Sequence, residues 1–126
     1  MRRIGSKEDI YLAVNAFRQS RTILTAIELG IFTALEKGER SSDAVAQLCA
    51  ADARSTDRLM NVLVGMGLLE KAEGRFRNSE IAAAHLVKGK PGYLANLAHI
   101  NNLWDFWSGL TASVKGGSTT VTDTAG

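Results

Sequence analysis

The sequence predicts a single, mainly α domain with one small β-hairpin. Three observations predict it. The 126 residues contain one proline, Pro91, which favours uninterrupted helices over a turn-rich β-sandwich. Apolar residues recur at spacings of three and four through most of the chain. One short stretch, residues 68–78, alternates instead, around the turn signal Glu73-Gly74. Apolar residues make up 45% and charged residues 22%, so a core is affordable and a disordered chain or disulfide scaffold is excluded.

Residues 7–29 read as one long helix, bent near Arg18-Gln19-Ser20, with Gly30 as its terminator. Ile10, Val14, Phe17, Leu24 and Ile27 form a stripe. Tyr11, Leu12, Ile23, Ala26 and Leu29 widen it beyond one face, so it needs more than one surface to pack on. A helical turn over 31–36 closes at Gly38. Ser41 and Ser42 then offer N-caps, with Asp43 in the first turn, where the helix dipole favours a negative charge. Ser55 is expected to cap a third helix running to Met66.

Residues 68–72 and 75–78 are the two expected strands, and Ser79 caps a short helix through Leu86. Helix, helix and hairpin in this order outline a winged helix-turn-helix. After the loop 88–92, residues 93–114 are expected to form a last long helix. It carries Leu97, Ile100, Trp104 and Trp107 on one stripe and Leu103, Phe106 and Leu110 on another. Gly116-Gly117 ends it. Residues 118–126 are Thr-rich and read as a disordered linker or tail, leaving 1–117 as the domain.

Charge and cysteine narrow the partners. The net charge of +2 divides into +2 over residues 1–40, +1 over 41–92 and −1 over 93–126, with no basic block to grip nucleic acid. Cys49 is alone, so no intrachain disulfide forms, and a buried inert thiol is expected. The start of the chain lacks the apolar stretch of a signal peptide, and no run of 18 apolar residues exists; no membrane partner and a cytoplasmic address are expected.

Catalytic parts are scarce. Gly65 and Gly67 end a helix and enter a strand, the reverse of a nucleotide-binding loop. His85 and His99 are 14 apart, with Cys49 far away, so no zinc site is expected, and both histidines are expected to be structural. Serines 41, 42, 55 and 79 read as caps rather than nucleophiles. The alternative suggested by a winged helix is a DNA-binding transcription regulator. Arg54, Arg58 and Asn61 could reach a groove, with Lys71, Arg75 and Arg77 on the wing. Asp57, Glu70 and Glu73 oppose it, and it ranks second.

Four segments carry a family resemblance. They are Ser20 to Leu35, Arg58 to Glu70, Gly74 to Ser79, and Leu103 to Leu110 with Gly116-Gly117 after it. In this order and spacing they resemble the N-terminal dimerisation domain of class I S-adenosylmethionine-dependent small-molecule O-methyltransferases, of the plant phenolic, hydroxyindole and bacterial polyketide types. The resemblance implies an intertwined homodimer. It also implies a parent enzyme that methylates a hydroxyl of a small aromatic or polyketide-like acceptor. S-adenosylmethionine and the catalytic residues would sit in a following Rossmann-like domain. No catalytic, cofactor-binding or metal-binding residue is therefore assigned to these 126 residues, which alone are not expected to be catalytic. The matching positions point to Leu97, Asn101 and Trp104 as the acceptor wall, although plain core burial of Trp104 is an equal reading. Phe17, Ile23, Leu24, Ile27, Ile100, Leu103, Phe106, Trp107 and Leu110 are expected at the dimer interface. The double stripes of the two end helices support pairing independently, because they exceed what a small core can cover.

Overall fold

The computed structural model describes residues 2–117; the expected tail, 118–126, lies outside them. It is mainly helical with one two-stranded antiparallel sheet. Its contacts divide it into two compact units, one ending at Tyr93 and one beginning at Leu94.

The first unit opens with α1 (Lys7–Asn15) and α2 (Phe17–Leu29). The Ser6 hydroxyl accepts the Asp9 N–H at 3.1 Å, and the Asp9 carboxylate accepts the Gly5 N–H at 3.1 Å, a reciprocal cap. The expected 7–29 helix is interrupted at Ala16, before the expected bend. Ala16 N–H donates back three residues to Ala13 O at 3.4 Å, so the ladder tightens there without leaving helical dihedrals. Gly30, at φ 83°, ends α2 with its N–H on Ala26 O and Ile27 O, and α3 (Ile31–Ala34) follows directly.

Ser41 caps α4 (Ser42–Leu48) by accepting the Ala44 N–H at 3.2 Å. Helix α5 (Ala53–Gly65) starts earlier than expected. Its cap is Asp52, whose carboxylate accepts the Ser55 N–H at 2.9 Å, so Ser55 lies inside the first turn. That bond holds the Asp52 carboxyl below the usual carboxylate range. A carboxylate with a depressed folded pKa adds stability above its unfolded pKa and loses it as pH falls through the folded value. Asp52→Asn is therefore expected to leave stability at neutral pH nearly unchanged, since asparagine also caps, and to flatten the fall in stability below pH of about 4. Denaturant titrations of both proteins across the acid range check this.

Strands β1 (Leu69–Ala72) and β2 (Arg75–Asn78) pair as expected, with Lys71 opposite Phe76 and Ala72 opposite Arg75. Glu73 and Gly74 join them at φ 52° and 75°; two left-handed residues match the twist of a two-residue hairpin. Arg40 adds one further rung, exchanging backbone bonds with Phe76 at 3.0 and 2.8 Å. Ser79 caps α6 (Glu80–His85) as expected. Helix α4 packs on α5, α5 on β1 and α2, α2 on α3, and α6 on β2. Their shared core is centred on Ile31, Phe32, Val45, Met60, Leu63 and Phe76, each at most 1% exposed.

The second unit contains α7 (Leu97–Asn102), α8 (Trp104–Ser108) and α9 (Leu110–Gly116) in place of one helix over 93–114. The breaks are kinks. Leu103 N–H reaches both His99 O and Ile100 O, and Gly109 N–H donates to Phe106 O at 3.2 Å. Asn101, Asn102 and Gly109, all poor helix formers, lie at these points.

Candidate functional site

The most conspicuous surface feature is apolar area that the chain leaves uncovered. Helix α1 buries none of its residues, although Ile10, Tyr11, Leu12 and Val14 lie on it and Phe17 opens the next helix; all five are more than half exposed. In the second unit, α7, α8 and α9 likewise bury nothing. Leu94, Ile100, Phe106, Trp107, Leu110 and Val114 are exposed there. Phe106 and Trp107 meet edge to face there, with ring centres 6.3 Å apart. Isolated exposed apolar residues are ordinary, but helices with no buried residue at all are not self-sufficient.

The interface residues expected from sequence separate into three groups. Phe17, Ile100, Phe106, Trp107 and Leu110 are exposed, and Ile23 and Leu103 are half-buried. Leu24 and Ile27 are 5% and 8% exposed: the single chain already buries them, so they have little area to give a partner. The α2 stripe turns inward on α3 and α5. Tyr11, Leu12, Leu94 and Val114 are exposed apolar residues missing from it.

Leu97, Asn101 and Trp104, the expected acceptor wall, are all half-buried, whereas Ala98, His99, Ile100, Asn102 and Asp105 are exposed. Leu97 and Asn101 are one helical turn apart on α7, and Trp104 opens α8 beyond the kink. Ser108 Oγ donates to Trp104 O at 3.1 Å. Three half-buried side chains, two of them apolar and one an amide, can contact a flat apolar ligand and hydrogen-bond to it.

The face that would read DNA is occupied by its own polar network. Asp57 accepts from Ser42 Oγ at 2.6 Å and from Asn61 Nδ2 at 3.2 Å, and Lys71 Nζ donates to Asn61 Oδ1 at 3.0 Å. The Lys71 ammonium also lies 4.9 Å from the Phe76 ring centre. Arg77 pairs with Glu70 at 2.7 Å and Arg75 with Glu39 at 3.4 Å. Lys71, Arg75 and Arg77 thus each meet an acid or an amide of the same surface, which weakens their pull on a phosphate backbone.

Among the described residues no cluster of three or more His, Cys, Asp or Glu could hold a metal ion. Cys49 is a free, half-buried thiol whose pKa is pushed up by burial, the opposite of an activated nucleophile. His85 is half-buried and bonded to Gly92 O through Nδ1 at 2.9 Å; His99 is exposed.

Comparison with known proteins places the chain in a family. The family model of the O-methyltransferase dimerisation domain matches residues 11–88. The chain belongs to that family. It is 31% identical over 121 residues to the tetracenomycin polyketide synthesis 8-O-methyl transferase TcmO of Streptomyces glaucescens, covering 94% of this chain and 36% of TcmO. It is 37% identical over 75 residues to a 3-hydroxy-5-methyl-1-naphthoate 3-O-methyltransferase of Streptomyces sahachiroi, covering 60% of this chain and 22% of that enzyme. The crystal structure of human N-acetylserotonin methyltransferase in complex with SAM superposes with a TM-score of 0.76 at 26% identity, covering 93% of this chain and 37% of that one. This dimerisation domain thus spans little more than a third, at most, of the curated relatives' own length. The reading as a DNA-binding regulator is set aside: the matching family is a dimerisation domain, and Asp57, Asn61 and Lys71 are bonded within their own surface. No helix among the described residues is long and apolar enough to cross a membrane.

Proposed function

We propose that this dimerisation domain joins two subunits of an S-adenosylmethionine-dependent O-methyltransferase as a homodimer and supplies one wall of the acceptor pocket. One observation carries the reading: α1 and α7–α9 bury no residue within their own chain, so their apolar side chains are left for a second copy. The helix–helix–hairpin run, a winged-helix outline, acts here as packing scaffold, and residues 1–117 work as one module. Leu97, Asn101 and Trp104 face the acceptor, an aromatic or polyketide-like molecule bearing a hydroxyl. TcmO and the naphthoate methyltransferase support this chemistry by what their names say they methylate. A cytoplasmic address fits a lone free cysteine.

The residues described do not fit the cofactor. A methyl-donor nucleoside needs a glycine-rich turn from a strand into a helix N-terminus. Gly67 instead leads from α5 into β1, Gly74 turns the hairpin, and Gly30 joins two helices. Isothermal titration of S-adenosylmethionine into the chain is expected to give no binding heat. A saturable isotherm would place the cofactor site in these residues and overturn the division of labour proposed. Acceptor recognition is tested by following tryptophan fluorescence while a hydroxynaphthoate is added to the native chain and to Asn101→Ala. Quenching that saturates in the first and weakens in the second supports the wall; identical curves contradict it.

A further inference from the structure

Between α6 and the end of the first unit the chain crosses a strap of loop, residues 86–93, whose fastenings are all visible. Leu86 and Val87 are buried, and Lys88 N–H donates to Thr33 Oγ1 at 3.2 Å, 55 residues away. Lys90 N–H returns to Val87 O and Tyr93 N–H to Lys90 O. The last fastening joins two residues that no other site uses. His85 Nδ1 lies 2.9 Å from Gly92 O, and a carbonyl only accepts, so Nδ1 carries the ring proton. Gly92 is where the strap comes closest to the helix. A Cβ there would stand 2.6 Å from Ala84 O and 3.1 Å from His85 Nδ1. The first of these is backbone at the end of α6, so no side-chain movement relieves it.

We propose that His85 and Gly92 form a clasp that closes the strap onto α6 and fixes where the chain leaves the first unit at Tyr93. The imidazole supplies the donor, and the missing side chain at 92 allows the approach. The clasp holds whether or not the chain serves a methyltransferase, because every contact in it lies within the first unit. His85 is a positioning residue in this role: it holds backbone, and it touches no proposed ligand.

Two readouts test the clasp, and neither depends on activity. In the native chain, with the imidazole neutral, the ring 15N shifts are expected to show the proton on Nδ1, the minority form in water. A proton on Nε2 would overturn the proposal even if every variant failed to fold. For the variants, amide exchange at Lys88, Lys90 and Tyr93 is the reporter, with Phe76 N–H, bonded to Arg40 O at 2.8 Å, as the reference. His85→Ala is expected to speed strap exchange by about fivefold, the equivalent of one ordinary hydrogen bond, and Gly92→Ala by more, because its Cβ also meets Ala84 O; both are expected to leave Phe76 unchanged. The double variant is expected to match Gly92→Ala, because the hydrogen bond is already lost there. His85→Asn places an N–H donor where Nδ1 stands and is expected to restore slow exchange; His85→Gln places it at the Nε2 position and is not. Equal acceleration at Phe76, additive effects, or rescue by glutamine rather than asparagine would each show that no such clasp exists.

Discussion

Phe32→Ala is expected to cost about 3–5 kcal/mol of stability, the loss typical of a fully buried aromatic ring. Phe32 is 1% exposed and lies in the first turn of the short helix α3, which follows α2 directly. Its carbonyl is bonded by Asn78 Nδ2 at 2.9 Å across 46 residues, so it also ties α3 to the end of β2. Truncation leaves a cavity that Ile31, Met60 and Phe76, themselves fully buried, have little freedom to refill. The Asn78 Oδ1 atom is already buried without a partner, so the neighbourhood has no polar bond to spare. A domain of this size is stable by about 5–14 kcal/mol in total. The midpoint of thermal unfolding should therefore fall by at least about 12 °C. Phe106→Ala is the control. It removes the same ring from a surface position 39% exposed and is expected to change the stability of the dissociated chain by less than about 1 kcal/mol. Equal effects from the two would mean that the core is not where the structure places it.

Trp107→Ala is expected to weaken self-association by about a thousandfold and to leave the fold of each chain intact. Trp107 is 58% exposed and held edge-on by Phe106. A tryptophan at the centre of an interface contributes about 2 kcal/mol when truncated, and in a twofold dimer each substitution counts twice, giving about 4 kcal/mol. At about 1.4 kcal/mol per factor of ten, this is nearly three decades in Kd. Val62→Ala is the matched control: Val62 is 51% exposed on α5, outside the surfaces assigned to pairing, and its truncation is expected to leave association unchanged. Association lost in both variants, or in neither, would remove α8 from the interface.

Local signals carried most of the fold. Ser41 and Ser79 cap the helices they were expected to cap, Gly30 ends α2, and Glu73-Gly74 turns the hairpin. Each depends on a capping hydroxyl or a left-handed backbone position acting within four residues of itself. The misreadings have a common origin. Apolar spacing does not distinguish a bond to the fourth residue back from one to the third, so the kinks at Ala16, Leu103 and Gly109 leave the stripes intact. Asp52 and Ser55 are three apart, and either suits a cap; the earlier one wins because it adds a turn to α5. The rung between Arg40 and Phe76 joins distant residues through backbone alone, which no local pattern reports.

The candidate site was legible to the same extent. A stripe shows that a helix face must be covered and is silent about what covers it. Leu24 and Ile27 are covered by their own chain, and Trp107 and Leu110 are not. On α1, Ile10, Tyr11, Leu12 and Val14 surround the helix too broadly to mark one side. Leu97, Asn101 and Trp104 share an intermediate burial that spacing alone would have assigned equally to core.

Sedimentation equilibrium of the unmodified chain, from low to high micromolar, bears most directly on whether two copies cover these faces. The expected result is a particle twice the 13.5 kDa chain mass, dissociating only toward the dilute end. A stable 13.5 kDa particle across the whole range, folded and free of aggregation, would contradict it.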